Sequence, residues 1–84
     1  MLTQLPLGEF ARVTAIEGGH GVRRNLNQLG IHVGDVVSLA RRAAFRGPLL
    51  VLTHGMQVAL GRGVANRVYV KPVGADAGKG GLRE

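Results

Sequence analysis

Three histidines are the side chains in this chain of 84 residues that are best suited to binding a metal ion. His20, His32 and His54 are not spaced four residues apart on a predicted helix, so no pair is placed to share one metal. The chain has no cysteine, which excludes thiolate zinc sites, iron–sulfur clusters and disulfides. We therefore expect three exposed loop histidines and no resident metal or cofactor. A weak adventitious site that joins one histidine to Asp35 or Glu17 stays open.

Two glycine-rich stretches have some features of anion-binding loops. Residues 18–21 (G-G-H-G) are expected to form a turn before a helix, where backbone N–H groups can face an anion, but they lack the spacing of a dinucleotide-binding loop. Residues 74–80 (G-A-D-A-G-K-G) lack the Ser or Thr that follows the lysine of a P-loop. We interpret residues 74–84 as a flexible glycine-rich tail, because Leu82 is their one large apolar side chain.

Catalytic groups are scarce in the sequence. Ser38 is the only serine and falls inside a predicted strand, and the five acidic residues are scattered along the chain. No nucleophile, general base and orienting residue can be proposed together. The sequence therefore predicts a binding or regulatory module and not an enzyme.

Basic residues dominate the charge of the chain. Eleven Lys and Arg against five Asp and Glu give a net charge of +6, which points to an anionic partner such as nucleic acid, a membrane surface or an acidic protein. Four polar side chains share the outward face of a predicted short helix, and a fifth lies in a Gly-Pro loop. We predict that these five form a partner-binding surface: Arg23, Arg24, Asn27, Gln28 and Arg46. The alternative is a solvated face without a specific partner.

The helix that carries these side chains is predicted over residues 22–29. Val22, Leu26 and Leu29 recur at positions i, i+4 and i+7 and define its apolar face. Gly30 stands where a helix commonly ends with a residue of positive φ. Such a short helix needs packing against a sheet to be stable.

Five short segments predict strands: residues 9–16, 36–42, 49–53, 56–60 and 67–72. In the first, Phe10 and Ile16 are expected on one face, and Ala11 and Val13 on the other. Turns rich in glycine and the lack of crossover helices favour a mainly β, small antiparallel barrel that is closed or half-closed. We expect one domain over residues 1–73. No apolar run is long enough to span a membrane, and no signal peptide is visible, so a cytoplasmic protein is expected.

Taken together, the spacing of apolar residues and glycines resembles the ferrous-iron-transport protein A (FeoA) family over residues 3 to 72. The specific part is the run Arg23-x-x-Leu26-x-x-Leu29-Gly30-Ile31-x-x-Gly34-Asp35-x-Val37. Supporting positions follow it: Arg42-Ala43, Gly47-Pro48-Leu49, Gly55, Ala59-Leu60, Ala65 and Val68-x-Val70. The chain departs from the family at Ala44, where members usually have proline, and at Gly61, where they often have arginine.

The resemblance implies an SH3-like β-barrel with one short inserted helix. It also implies a small cytoplasmic accessory of the ferrous iron transporter FeoB, with the transporter's cytosolic G-protein domain as the contact. On this interpretation the protein reaches the membrane only through that partner and binds no nucleic acid. The alternative from another class is a free-standing SH3-like barrel that binds nucleic acid through its basic surface. The charge favours this alternative, and the lack of aromatic residues interleaved with the arginines opposes it.

Overall fold

Five strands and two helices follow one another in the computed structural model, which describes residues 1–73. The predicted tail, residues 74–84, lies outside these described residues. After an N-terminal 3₁₀ turn at Leu2–Gln4, the elements in chain order are β1 (Phe10–Ile16), α1 (His20–Gln28), β2 (Val36–Arg42), β3 (Leu49–Thr53), β4 (Met56–Leu60), α2 (Arg62–Ala65) and β5 (Val68–Pro72).

The five strands form one antiparallel sheet in the order β4-β3-β2-β1-β5. Strand β1 pairs with both β2 and β5, while β3 pairs with β2 and β4. The mainly β, five-stranded antiparallel fold with one short inserted helix is therefore confirmed. The sheet is not a closed barrel, since β4 and β5 are its two edges and do not pair with each other.

The core is built from aliphatic side chains, as a sequence with three aromatic residues requires. It lies on the inner face of the sheet, and α1 and the N-terminal turn contribute to it. Its buried members are Leu2, Leu5, Ala11, Val13, Ile16, Leu26, Ile31, Val37, Leu39, Leu49, Val51, Leu60, Ala65 and Val68. Burial of such side chains is the main force that holds a chain of this size together.

One face assignment in β1 was wrong. Ile16 was expected to point away from Ala11 and Val13, yet all three are buried in the core. The cause is a β-bulge at Thr14, because the residues on either side of it pair with consecutive residues of β5. The extra residue shifts the alternation by one position. The Thr14 hydroxyl donates a hydrogen bond to the carbonyl of Tyr69 at 3.1 Å.

The backbone beyond α1 has the geometry predicted for Gly30, which follows the C-cap residue Leu29. Gly30 has φ of 90°, and its N–H donates to the carbonyl of Asn27 at 3.0 Å. The next N–H, that of Ile31, donates to the carbonyl of Leu26 at 2.9 Å. These two bonds form a Schellman motif, and the buried side chains of Leu26 and Ile31 supply the apolar contact that accompanies it.

The start of α1 differs from the prediction. Residues 18–21 were expected to form a turn, but His20 and Gly21 are the first two helical residues and Gly19 is the extended N-cap. His20 therefore lies on the helix and not in a loop.

The N-terminal turn was not predicted. Leu2 and Leu5 are buried, although the sequence predicts no helix or strand before residue 9. The Arg42 guanidinium holds this turn by donating to the carbonyls of Leu5 at 2.8 Å and Thr3 at 3.3 Å. The Thr3 hydroxyl lies 2.8 Å from the side-chain oxygen of Asn66 just after α2. The interval of three between the two leucines is the signal that sequence reasoning missed.

Candidate functional site

Four of the five predicted partner-binding residues form the outer face of α1. Leu26 is buried beneath the helix, and Val22 and Leu29 are half-buried against the core. The opposite face is solvent-exposed and carries the predicted polar residues. Together with His20 they line a shallow depression of about 330 Å³: His20, Arg23, Arg24, Asn27 and Gln28. The helical spacing of three and four residues thus sorts apolar from polar side chains, as expected from the sequence.

The two arginines of this face form no ion pair with an acidic residue in the described part of the chain. Within residues 1–73, neither Arg23 nor Arg24 forms a hydrogen bond or an ion pair through its side chain. Helix α1 itself contains no acidic residue. Their charge is therefore free to act on an external anion.

Arg46 lies on a different surface element. It is not among the residues that line the depression on α1, and it lies in the β2–β3 connection beside Phe45. The N–H of Gly47 donates to the carbonyl of Ala44 at 3.1 Å and closes a tight turn. The five predicted residues thus occupy two surface elements, four on α1 and Arg46 on this turn. The exposed Phe45 was not predicted as a functional residue, although an aromatic residue beside an arginine in a loop is a signal for one.

Two of the histidines meet at one carboxylate. Oδ2 of Asp35 lies 3.0 Å from Nδ1 of His32 and 3.3 Å from Nε2 of His54, and it also accepts the N–H of His32 at 2.8 Å. Asp35, which the sequence left open as a partner for one histidine, thus lies beside two of them. The reason is tertiary, because the β3–β4 turn brings His54 to the segment before β2. In the part of the chain with described geometry, no three His, Asp or Glu side chains are arranged to hold a metal ion.

The two rings change the acidity of the carboxyl between them. Burial raises the pKa of Asp35, but the hydrogen bonds from His32 and the bond and charge of His54 outweigh it and leave this pKa below its ordinary value. A carboxylate that accepts several hydrogen bonds holds its charged form in this way. The trio therefore serves as a link between the end of the α1–β2 connection and the β3–β4 turn.

Across residues 1–73, exposed cationic surfaces are the features best suited to function. The only serine, Ser38, is buried inside β2 with no histidine bonded to it. No helix in the same range is long and apolar enough to cross a bilayer. The structure is thus that of a small domain with an open SH3-like sheet and basic side chains on its exposed elements.

A model of the FeoA domain family matches residues 1–72, and the chain belongs to this family. A Methanocaldococcus jannaschii protein with the provisional name Fe(2+) transport protein A is 34% identical over 77 residues, which cover 92% of this chain and 87% of that protein. The resemblance found in the sequence is thus confirmed. It places the chain among accessory proteins of ferrous iron transport.

Solved structures agree with this assignment. The solution structure of FeoA from Chlorobium tepidum is 31% identical, with a TM-score of 0.80, and the match covers 89% of this chain and 71% of that one. The zinc complex of FeoA from Stenotrophomonas maltophilia is 31% identical, with a TM-score of 0.71, over 83% of this chain and 87% of that one. That protein is described as an SH3 domain protein, which agrees with the open five-stranded sheet seen here.

Proposed function

We propose that this protein regulates a ferrous iron transporter of the FeoB type by binding its cytosolic G-protein domain through the outer face of α1. The observation that carries this proposal is the pair Arg23 and Arg24, which has no ion-pair partner within residues 1–73 and is exposed on a helix whose other face packs against the core. The S. maltophilia relative is described as an SH3 domain protein with a proposed role as a ferrous iron transport activating factor, which supports the same role here. A cytosolic partner places the protein in the cytoplasm.

The two arginines contribute little to folding, because exposed charges are worth a few tenths of a kcal/mol at most. They contribute more to association. A guanidinium offers a planar set of donors to a carboxylate, and arginine is enriched among residues that dominate binding energy. Asn27 and Gln28 add neutral donors and acceptors on the same face. We therefore expect an acidic patch on the partner, engaged by charge-assisted hydrogen bonds around the depression.

Binding at a G-protein domain has two consequences that the family resemblance allows, a change in nucleotide turnover or a change in transporter assembly. Measuring GTP hydrolysis by the isolated domain with and without this protein separates them. A changed rate indicates the first, and an unchanged rate with retained binding indicates the second.

The decisive experiment is charge reversal on α1. The double variant Arg23→Glu/Arg24→Glu is expected to bind the G-protein domain more than tenfold more weakly in calorimetry, partly through a slower and salt-sensitive association rate. The matched control is Arg41→Glu/Arg46→Glu, which changes the net charge by the same amount on the surface around the β2–β3 turn. Circular dichroism checks that both variants fold. Equal affinity of the α1 variant and the unmodified protein would refute the proposed surface.

Nucleic acid is the second candidate partner, favoured by the net charge of +6 and by an exposed phenylalanine next to Arg46. A protein that binds phosphates through several arginines loses affinity steeply as salt rises. Titration of random duplex and single-stranded DNA at two salt concentrations tests this function. Affinity for DNA that exceeds affinity for the G-protein domain at physiological salt would favour it over the transporter.

A further inference from the structure

The turn between β2 and β3 has an unusual composition for its geometry. Phe45 and Arg46 are its two central residues, with φ of 56° and 62°, and the bond from Gly47 to Ala44 closes it at 3.1 Å. Positive φ at both central positions defines a type I′ turn, which strongly favours Asn-Gly. Bulky residues adopt this left-handed backbone at a cost. Gly47 is required because a Cβ there would lie 2.7 Å from the Cβ of Ala43.

Neither packing nor turn formation accounts for the phenylalanine. The side chain of Phe45 is 100% exposed, the largest exposure among the large apolar residues of the described chain. It contributes no buried area to the fold, and it is less suited to the turn than asparagine. A large apolar side chain held in solvent on a strained turn is best explained by an external contact.

The turn and the two strands that it joins carry charge of one sign. Between positions 36 and 73 the sequence has six basic residues and no acidic one. Arg41 and Arg46 are exposed and make no side-chain hydrogen bond or ion pair to any residue from 1 to 73. The charge of Arg42, which donates to the N-terminal turn, also lies on the strand that leads into the β2–β3 turn. An external contact at Phe45 must therefore tolerate or attract several guanidinium groups.

Apolar surface extends from the turn along the outer face of the sheet. A groove of about 160 Å³ runs across β2, β3 and β4, where Arg41, Leu50 and Ala59 are cross-strand neighbours. Its lining residues are Arg41, Ala43, Pro48, Leu49, Leu50 and Ala59. The tip and the base of the turn thus present apolar groups between arginines.

Charge complementarity selects the kind of surface that fits. A second copy of this chain would bring its own Arg41 and Arg46 against the same residues, which is repulsive. An acidic protein would satisfy the arginines but would need a pocket shaped for a protruding phenylalanine. A bilayer with anionic lipids satisfies both conditions, because its headgroups attract arginine and its interface accepts an apolar side chain of any shape.

We propose that the turn over residues 44–47 is a membrane-contact site that inserts Phe45 into the headgroup region of an anionic bilayer, with Arg41 and Arg46 on lipid phosphates. This goes beyond the binding of a G-protein domain, and it replaces the expectation that the protein reaches the membrane only through its partner. One phenylalanine and a few arginines give weak, reversible binding. Such contact orients the protein beside a transporter already in the membrane.

The chain has no tryptophan, so a single substitution makes a specific reporter of this contact. Phe45→Trp is expected to fold normally because the side chain is fully exposed, and its fluorescence should shift to the blue on vesicles of equal parts phosphatidylglycerol and phosphatidylcholine. Vesicles of phosphatidylcholine alone should leave the emission unchanged. Phe10→Trp, at a half-exposed position on β1, is the matched control and should not respond to either vesicle.

Charge reversal tests the proposed contact of Arg41 and Arg46 with lipid phosphates. Arg41→Glu/Arg46→Glu should lower co-sedimentation with the anionic vesicles at least about tenfold, because each basic residue near such a surface contributes about 1 kcal/mol. Arg23→Glu/Arg24→Glu, with the same change in net charge, should reduce it much less. These outcomes are independent of G-protein domain binding, which the first variant should retain.

Three results would overturn the membrane-contact site. The first is an unshifted emission of the Phe45→Trp variant on anionic vesicles. The second is equal loss of sedimentation in the two charge variants, which would indicate attraction by net charge alone. The third is a blue shift with polyglutamate but not with vesicles, which would assign the turn to an acidic protein.

Discussion

Gly30 shows how much a single residue determines at the end of α1. Its position after an apolar helical pattern was sufficient to predict its positive φ, because helix ends follow local rules. By contrast, the approach of His54 to Asp35 depends on strand pairing and was not predictable from spacing. The exposure of Phe45 was likewise not predictable, since the sequence alone favours burial of a phenylalanine.

Gly30→Ala is expected to destabilise the protein by about 1–2 kcal/mol, because the left-handed backbone disfavours a side chain. A Cβ at this position would lie 3.9 Å from the nearest atoms of Thr53 and His54, so crowding adds little. For a domain of this size the melting temperature should fall by about 4–8 °C per kcal/mol. Gly21→Ala, inside α1, is the control and should not lower it. Equal melting of the Gly30 variant and the parent would contradict the Schellman geometry.

At the scale of elements, the strands were predictable and their irregularities were not. The bounds of β2, β3 and β4 agree with the sequence prediction, and glycine or proline lies next to both ends of β4 and the start of β3. The bulges within β1 and β2 could not be predicted from the alternation of apolar and polar residues. They decide which side chains reach the core, and this is why Ile16 was assigned to the wrong face. The arginine face of α1 followed from helical periodicity, whereas the separate location of Arg46 required the fold.

The Asp35 trio joins two elements that are distant in sequence, and its contribution to stability depends on pH. Because the pKa of Asp35 is lower in the folded protein than its ordinary value, the stabilisation is complete above that ordinary value. It is lost as the pH falls through the lowered pKa. Asp35→Asn should therefore melt below the parent at about pH 6, with the difference shrinking toward zero in strong acid.

Glu9→Gln is the control for this pH series, because Glu9 is exposed and its side chain makes no hydrogen bond within residues 1–73. Thermal melts of both variants and the parent, taken across the acid range, supply the comparison. A gap between Asp35→Asn and the parent that stays constant with pH would show that the carboxylate charge does not stabilise the fold.

For the whole molecule, the N-terminal turn is part of the core and not an extension of it. Leu2 is fully buried and packs with the inner face of the sheet. Leu2→Ala should destabilise the protein by about 2–5 kcal/mol, since it removes buried methyl groups and leaves a cavity. Leu7→Ala is the matched control at a position that is 52% exposed, and it should melt close to the parent. Urea unfolding of the two variants measures the difference, and equal midpoints would contradict the packing of the turn.

The position of β1 between β2 and β5 has a consequence for the nascent chain. Ala11, near the start of the protein, pairs with Pro72, and the Glu17 amide donates to the carbonyl of Arg67 at 2.8 Å. A ribosome adds about 5–20 residues per second, so β5 is synthesised several seconds after β1. Until β5 emerges, one edge of β1 is open, and a chaperone that recognises apolar extended segments meets the chain before its sheet is complete.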